Sequence, residues 1–260
     1  LDLFVGGRVV TGSYPTPASS YVLRNDQGKF LDVTNEVNAD LQHLGMVTDA
    51  LWTDFNNDNK VDLIVVGEFM PITIFANEGG KLVRLENSGI SQFTGWWNSI
   101  TGGDFDKDGD VDYVAGNLGL NNNFQVKPEF PLKIYAKDFD GNGSVDPVLA
   151  CYMRESMESE AKKLYPVHFW DELNSQSPKF RNKYSRYRQY SKVTIDELLT
   201  PEDLKGAMIL EANHMASSYI ENIGGGKFSL KPLPTAAQVA PINGLVVTDL
   251  NDDNNLDILL

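Results

Sequence analysis

Several common classes of protein are excluded by what this 260-residue sequence lacks. It has one cysteine, Cys151, which excludes an intramolecular disulfide framework and a zinc site built from cysteines. Its three histidines, His43, His168 and His214, lie far apart in the chain, which disfavours a histidine metal cluster. It has no run of eighteen apolar residues, and we therefore expect no transmembrane segment in this chain.

Basic residues are scarce relative to acidic ones. The chain has 22 Lys and Arg against 36 Asp and Glu, and its formal net charge is −14. This balance predicts no binding to nucleic acid or to anionic lipid, because both are negatively charged. Residues 151–215 hold ten basic and ten acidic residues. The excess of acid therefore lies in the flanking segments, where it is concentrated in short, similar strings.

Four of these strings follow one pattern, D-x-[DN]-x-[DN]-[GN]-x-x-D. They are residues 54–62 (loop 1), 104–112 (loop 2), 138–146 (loop 3) and 249–257 (loop 4), and the positions within each loop are numbered 1 to 9. A fifth segment, residues 1–7, resembles the apolar segments after the other loops, with Asp2 at position 9. Repetition of this kind indicates the architecture of a chain, so it takes precedence over any single motif.

The spacing within these loops is typical of calcium binding. Oxygen ligands at positions 1, 3 and 5 of a tight loop converge on one point, Gly or Asn at position 6 turns the chain, and position 7 contributes its backbone carbonyl. Clustered carboxylates also repel one another unless a cation lies between them. The sequence therefore predicts several Ca²⁺ sites. The candidate metal residues are Asp54, Asn56, Asp58, Lys60 and Asp62; Asp104, Asp106, Asp108, Asp110 and Asp112; Asp138, Asp140, Asn142, Ser144 and Asp146; and Asp249, Asn251, Asp253, Asn255 and Asp257.

The segments after the loops separate this pattern from other calcium loops. An EF-hand has a bidentate Glu at position 12 and flanking helices. Here position 12 is apolar in all four loops, and the residues after position 9 form the β-branched or apolar runs of buried strands. Asx-rich β-turns without metal are the alternative, and the fourfold repetition of one pattern favours metal over that alternative. Loops 2 and 3, with Gly at position 6, are expected to bind best.

The repeats resemble the FG-GAP/VCBS repeat, the blade unit of integrin α-subunit propellers. The resemblance rests on the loops and on the V-x-G strands after them, VDLIVVG from Val61 and VDYVAG from Val111. Residues 95–100, 116–121 and 221–228 are similar to bacterial VCBS-repeat proteins related to cartilage acidic protein. The resemblance covers nearly the whole chain. It implies calcium-binding blades and a location outside the cell: secreted, periplasmic or on the outer cell surface.

The strand pattern predicts the same fold. A short apolar strand comes after each loop, and a hairpin with an Asn-rich turn and Gly-Lys recurs in residues 21–30, 74–82 and 219–228. Runs of four short antiparallel strands at a period of tens of residues are typical of a β-propeller. We therefore predict an all-β protein, with about four propeller blades in residues 1–150 and 216–260.

Residues 151–215 lack this period and predict a mainly α-helical insertion within a blade. Capping boxes begin at Thr194 and Thr200, and residues 155–164 and 204–215 have helical character. Residues 179–192 carry six basic residues and no acidic one, interleaved with aromatic residues. That composition also suits a nucleic-acid-binding segment. A basic helix docked on the acidic propeller is the favoured interpretation, because the rest of the chain is acidic.

The sequence contains no G-x-S-x-G, H-E-x-x-H or Gly-rich phosphate motif, and we expect no catalysis. We expect His168 and His214 to be structural and Cys151 to be buried. Trp96 and Trp97 face opposite sides of a strand, so one belongs in the core and the other is a candidate sugar platform. The favoured function is a calcium-stabilised binding or adhesion module of an exported bacterial protein, with a protein or glycan ligand. The alternatives are a polysaccharide lyase or hydrolase with the insertion as a lid, and a structural spacer.

Overall fold

Strands dominate the computed structural model, which describes residues 2–260. They take up 38% of the residues and helices 15%, so the predicted all-β class is confirmed. Leu1, the first residue of the predicted propeller segment, lies outside the described residues. The chain forms two compact units. Unit 1 comprises residues 2–8, 17–122 and 214–260, and unit 2 comprises residues 9–16 and 123–213.

The secondary-structure elements are short. The strands are β1 (Leu3–Val5), β2 (Tyr21–Asp26), β3 (Lys29–Asp32), β4 (Met46–Thr53), β5 (Asp62–Pro71), β6 (Thr73–Glu78), β7 (Lys81–Arg84), β8 (Thr94–Trp96), β9 (Ser99–Gly103), β10 (Asp112–Gly116), β11 (Leu132–Lys137), β12 (Asp146–Arg154), β13 (Lys162–Pro166), β14 (Met208–Ala212), β15 (Ser218–Asn222), β16 (Phe228–Pro232), β17 (Val246–Thr248) and β18 (Asp257–Leu259). The helices are α1 (Thr34–Val37), α2 (Trp170–Gln176), α3 (Pro178–Lys183), α4 (Tyr187–Tyr190), α5 (Ile195–Leu198) and α6 (Pro201–Leu204), with 3-10 helices at Ala39–His43 and Thr235–Gln238. None of the helices in residues 2–260 has the length and apolar character needed to cross a membrane.

Unit 1 contains four antiparallel sheets. Sheet I has the order β1-β2-β3, and sheet II has the order β4-β5-β6-β7 with β8 paired to β5. Sheet III has the order β16-β15-β10-β9, and sheet IV pairs β17 with β18. Loop 1 joins β4 to β5, loop 2 joins β9 to β10, and loop 4 joins β17 to β18. The prediction that a strand, and not a helix, leaves each loop is confirmed.

The core of unit 1 is built by strands that are buried on both faces. Along β5, Leu63 and Val65 pack into one apolar cluster, and Ile64 and Val66 pack into another, because successive side chains of a strand point to opposite faces. The second cluster also contains Trp97 and is shared between sheets II and III. Strand β4 packs against β9, and β9 packs against β17. The first strands of sheets II, III and IV are therefore neighbours.

Sheet III is assembled from two distant parts of the chain. Strand β10 pairs with β15 in a register that places Tyr113 opposite Ile220, and residues 117–217 lie between these strands in sequence. The segment that interrupts this sheet therefore starts well before residue 151, where we predicted the insertion to begin. It includes loop 3, which belongs to unit 2 and joins the paired strands β11 and β12. The placement of loop 3 in a propeller blade stays a prediction.

Unit 2 combines a sheet of order β13-β12-β11-β14 with the five helices α2 to α6. The capping boxes at Thr194 and Thr200 are confirmed. The predicted helical character of residues 155–164 and 204–215 is wrong. Residues 155–161 form turns and irregular backbone that lead into β13, and the second segment contains β14. Both strands gain a partner from elsewhere in the unit: β13 pairs with β12, and β14 pairs with β11. Gly206, with a φ of +68°, lies in the turn between α6 and β14.

The basic segment of unit 2 is not one helix. Residues 179–183 belong to α3, residues 184–186 form a break between helices, residues 187–190 form α4, and a turn follows. Phe180 and Tyr190 are buried, whereas Tyr187 is exposed. The aromatic residues of the basic segment therefore pack mainly inside unit 2. Lys179 pairs with Asp203, and the ammonium of Lys183 donates to backbone carbonyls of α5.

Candidate metal centre

The four loops share one hydrogen-bond scaffold. In each loop the position-1 carboxylate accepts the backbone N–H of position 6. The N···O distances are 2.8 Å from Asn59 to Asp54, 3.2 Å from Gly109 to Asp104, 2.7 Å from Gly143 to Asp138 and 2.8 Å from Asn254 to Asp249. This bond closes the loop around its first carboxylate and brings the middle of the loop back to it.

Positions 3 and 5 continue the same scaffold. Each side chain accepts the N–H of the residue two places further along, which is the Asx turn that Asp and Asn favour. The bonds to position 3 measure 3.1 Å in loops 1, 3 and 4 and 3.2 Å in loop 2. Those to position 5 measure 2.7–3.0 Å. A carboxylate oxygen has more than one acceptor direction, so these bonds leave capacity for a further ligand.

Position 4 adopts a left-handed backbone conformation that the sequence pattern did not reveal. We assigned the sharp turn to position 6 alone. In the structure φ is positive at both positions, and at position 4 it is +55° for Asn57, +65° for Lys107, +77° for Gly141 and +60° for Asp252. The signal in the sequence is weak, because Asn, Asp and Gly tolerate this conformation but Lys does not favour it.

The position-9 aspartates have a structural role inside the sheets. Asp62 and Asp112 are fully buried, and each accepts the backbone N–H of an asparagine on the adjacent strand of its sheet. Asn77 donates to Asp62 at 2.7 Å, and Asn222 donates to Asp112 at 2.9 Å. Asp2 accepts the N–H of Asn25 in the same way at 2.9 Å. The recurring hairpins revealed these asparagines in the sequence, but nothing there showed which carboxylate each one binds.

Among the four loops, loop 2 has the most carboxylate charge that no neighbouring group compensates. One oxygen from each of Asp104, Asp106 and Asp108 lies within 4.8 Å of the other two. Burial, with a contribution from Asp108, raises the pKa of Asp110 to about 6. Burial also raises the pKa of Asp106. Within residues 2–260, Asp104 Oδ1 and Asp110 Oδ1 are buried and have no hydrogen-bond partner.

The donors of loop 2 fit a hard divalent cation such as Ca²⁺, which takes oxygen ligands. A buried carboxylate oxygen without a partner is costly, and a bound cation removes that cost. Asp104, Asp106 and Asp108 would hold the ion through their side chains. It would supply positive charge among these carboxylates and hold the loop closed.

Loop 3 brings together a second cluster in unit 2. Oxygens of Asp138, Asp140 and Asp146 lie within 4.8 Å of one another. The N–H of Gly143, with further backbone donors, lowers the pKa of Asp138. Burial raises the pKa of Asp146. Ser177 Oγ donates to Asp140 at 3.1 Å, so α3 and loop 3 are joined. This cluster is also able to hold a metal ion.

Loops 1 and 4 have the scaffold but less uncompensated charge. In loop 1 the ammonium of Lys60 lies 2.9 Å from Asp58 and lowers the pKa of that carboxyl. In loop 4 the amide of Asn251 donates to Asp253 at 3.1 Å. Neither loop forms a three-carboxylate cluster among the described residues. These two loops are therefore the weaker metal candidates, in line with the Asn at their position 6.

Most of the other residues considered for chemistry are buried in the structure, whereas His214 and Trp96 are half-buried. His214 Nε2 lies 2.9 Å from Ser218 Oγ, but Ser218 is fully buried. Trp97 is the core member of the tryptophan pair, and Cys151 is a buried free thiol. Ser218, Trp97 and Cys151 are thus buried, and His214 is half-buried.

Residues 54–115 match the family model described as an FG-GAP-like repeat. The match begins at position 1 of loop 1 and ends in β10, so it contains loops 1 and 2 and the strands β5 to β9. The chain therefore contains an FG-GAP-like repeat, and the resemblance seen in the sequence is confirmed for this segment. A search of curated proteins found no match. The closer resemblance to relatives of cartilage acidic protein stays a prediction.

Proposed function

We propose that this chain is a calcium-stabilised β-propeller module of an exported bacterial protein, and that it binds a protein or glycan ligand without catalysing a reaction. The observation that carries the proposal is loop 2. Three carboxylates converge there, and the buried Oδ1 atoms of Asp104 and Asp110 have no partner in the described residues. A divalent metal at this loop would supply the missing partner of Asp104 and place positive charge near Asp110.

The order of the strands and the contacts between the first strands of the sheets in unit 1 support a propeller arrangement. Sheets II and III each place a metal loop between their first and second strands. Their first strands are in contact, and the first strand of sheet IV lies against that of sheet III. A radial array of blades places successive first strands side by side in this way. The blade count proposed from the sequence is about four.

Calcium and an extracellular location support each other. The donors are oxygens only, which suits Ca²⁺ or Mg²⁺, and short loops of this kind in extracellular modules bind Ca²⁺ with Kd values of about 10⁻⁴–10⁻³ M. Sites of that affinity fill where calcium is millimolar. We therefore propose that the protein works outside the cell.

Binding without catalysis is supported by the burial of the candidate reactive groups. The His214–Ser218 pair has the spacing of a base and a nucleophile, but a fully buried Ser218 is inaccessible to a substrate. The acidic side chains of the loops already have roles as hydrogen-bond acceptors and metal ligands.

The test is thermal unfolding in excess EDTA and in Ca²⁺ at ten times its Kd. One site at tenfold saturation stabilises the folded state by about 1.4 kcal/mol, so a clear rise in Tm is expected. Mg²⁺ at the same concentration is the ion control. The variant Asp104→Asn with Asp106→Asn keeps side-chain oxygens in place and should lose part of the rise. Identical Tm values with EDTA and with Ca²⁺ would overturn the calcium proposal.

The ligand is tested separately on a panel of glycans and surface proteins. Retention of a ligand without any change in its mass supports a binding module. Turnover of a polysaccharide would support the alternative of a lyase or hydrolase, and neither retention nor turnover would support a structural spacer.

A further inference from the structure

One hydrogen bond joins loop 1 to Asn222 of β15, the strand next to β10, and a second joins loop 1 to loop 2 directly. Asn222 Nδ2 donates to the carbonyl of Phe55, which is position 2 of loop 1, at 2.8 Å. Asn57 Nδ2, from position 4 of loop 1, donates to the carbonyl of Gly109, position 6 of loop 2, at 3.3 Å. The first of these bonds runs from Asn222, which is bonded to loop 2, to the backbone of loop 1. The second runs from a side chain of loop 1 to the backbone of loop 2.

Asn222 also holds loop 2 directly. Its backbone N–H donates to Asp112 at 2.9 Å, and its Nδ2 lies 3.4 Å from the carbonyl oxygen of Val111. On the other side, the N–H of Phe55 donates to Asp62 at 3.2 Å. The position-9 carboxylates of the two loops are therefore connected through Phe55 and Asn222, both of which are buried.

We propose that Asn222 couples metal binding at loops 1 and 2, so that metal at either loop raises the affinity of the other. The inference rests on the proposed calcium binding at these loops. Metal at loop 2 orders positions 6 to 9, and with them Asn222 and the Gly109 carbonyl. Loop 1 then binds its ion against a backbone that is already ordered, which lowers the entropy cost of binding. The effect is reciprocal, because coupling free energy belongs to the pair of sites.

The coupling matters most for loop 1. That loop has no three-carboxylate cluster among the described residues, and Lys60 already compensates Asp58. Its affinity therefore depends on how well its backbone is held before the ion arrives. Loop 2, with its convergent carboxylates, binds Ca²⁺ at the lower concentration, and its binding orders the backbone of loop 1.

Asn77 is the matched control for Asn222. It holds Asp62 through its backbone N–H, its Nδ2 donates to Val61 at 3.0 Å, and its Oδ1 accepts from Gly80. These are the bonds that Asn222 makes within its own repeat to Asp112, Val111 and Gly224. The bond that Asn222 adds is the one to Phe55 in the neighbouring loop.

The experiment is a Ca²⁺ titration of the ¹⁵N-labelled 260-residue chain monitored by NMR. The amide signals of Asn59, Gly109 and Gly143 report on loops 1, 2 and 3 separately. Loop 2 is disabled by Asp104→Asn with Asp106→Asn. In the otherwise unchanged chain, we expect this change to weaken Ca²⁺ binding at loop 1 by about fivefold or more, which corresponds to a coupling of about 1 kcal/mol. Loop 3 should keep its affinity.

In the Asn222→Ala background, disabling loop 2 should leave the affinity of loop 1 unchanged, whereas in the Asn77→Ala background the weakening should persist. Asn57→Gly removes the second inter-loop bond at an exposed site, keeps the left-handed backbone accessible, and should reduce the coupling even if Asn222→Ala fails to fold. Calcium binding at both loops with no effect of disabling loop 2 would overturn the coupling alone. The absence of any Ca²⁺-dependent shift would overturn the proposed calcium function together with it.

Discussion

The imidazole of His214 stacks on the indole of Trp97, with the ring centroids 5.5 Å apart and the planes inclined by 24°. Phe93 meets the same imidazole edge-on, at 5.4 Å between centroids. Burial in this aromatic enclosure lowers the pKa of His214, because an apolar environment disfavours the charged imidazolium. Burial lowers the pKa of His168 in unit 2 for the same reason.

Acidification should therefore destabilise the protein through His214. Its pKa is lower in the folded state than the unfolded value of about 6.5, so the unfolded state binds more protons between the two values. The contribution of the neutral His214 to the free energy of unfolding is present above about pH 6.5 and is lost as the pH falls through the lowered pKa of His214. Guanidinium unfolding at pH 7, 6 and 5 should show a smaller loss of unfolding free energy in His214→Gln than in the original chain. The exposed His43 provides the control, because His43→Gln replaces a histidine outside the aromatic enclosure. Equal slopes in all three proteins would contradict this prediction.

Asp110 should destabilise the metal-free protein at neutral pH. Burial raises its pKa to about 6 in the folded state, so the folded state binds more protons than the unfolded state between about pH 4 and pH 6. The contribution of Asp110 to the free energy of unfolding is therefore present below about pH 4 and is lost as the pH rises through 6. In EDTA at pH 7, Asp110→Asn should raise the free energy of unfolding by on the order of 1 kcal/mol, after allowance for solvent screening. The gain should shrink at pH 4.5, where the carboxyl is protonated in the folded state.

Asn255 occupies the equivalent position of loop 4, so an amide is compatible with the scaffold. Chemical denaturation at the two pH values provides the measurement. The exposed Asp26→Asn serves as a charge-matched control and should change little. A loss of stability at pH 7 in EDTA on replacing Asp110 would be the contrary result.

Gly95 is required by the close approach of Trp97. A Cβ at residue 95 would collide with the indole ring and lie 2.9 Å from Asn117 Nδ2. Because Trp97 is fully buried and has no room to move away, Gly95→Ala should cost about 1–3 kcal/mol of unfolding free energy. Gly244→Ala is the control: nothing lies within 4 Å of that Cβ, and its effect should stay within about 0.5 kcal/mol. Similar unfolding free energies for the two variants would show that the predicted clash is relieved.

The left-handed conformation at position 4 can be tested in loop 3. Gly141 has a φ of +77° with open space around its Cβ position, so Gly141→Ala is penalised by backbone conformation and not by a clash. The cost should be about 1–2 kcal/mol. Gly141→Asn should cost less, because Asn57 adopts the same conformation in loop 1. Urea unfolding of the two variants distinguishes these outcomes, and an Ala variant as stable as the Asn variant would contradict the assignment.

The parts of the fold that were predicted well are local in sequence. The turns of the acidic loops, the strands that leave them and the hairpins with asparagine and glycine in their turns each occupy about ten consecutive residues, in which spacing and turn chemistry determine the backbone. The two helical segments of unit 2 that were predicted wrongly illustrate the limit. Their composition suits a helix, but β13 and β14 gain sheet partners in β12 and β11, and this long-range pairing outweighs local propensity.

The repeated acidic loops and the all-β class are readable from the amino-acid sequence alone, because ligand spacing and strand alternation are properties of short segments. The pairing of β10 with β15 across residues 117–217, and the connection of two loops by Asn222, are set by tertiary packing. The physical reason is that a buried carboxylate such as Asp112 needs a donor, and any backbone N–H that the fold brings near it can serve. The sequence shows that a partner is required, but the packing of the sheets selects which residue it is.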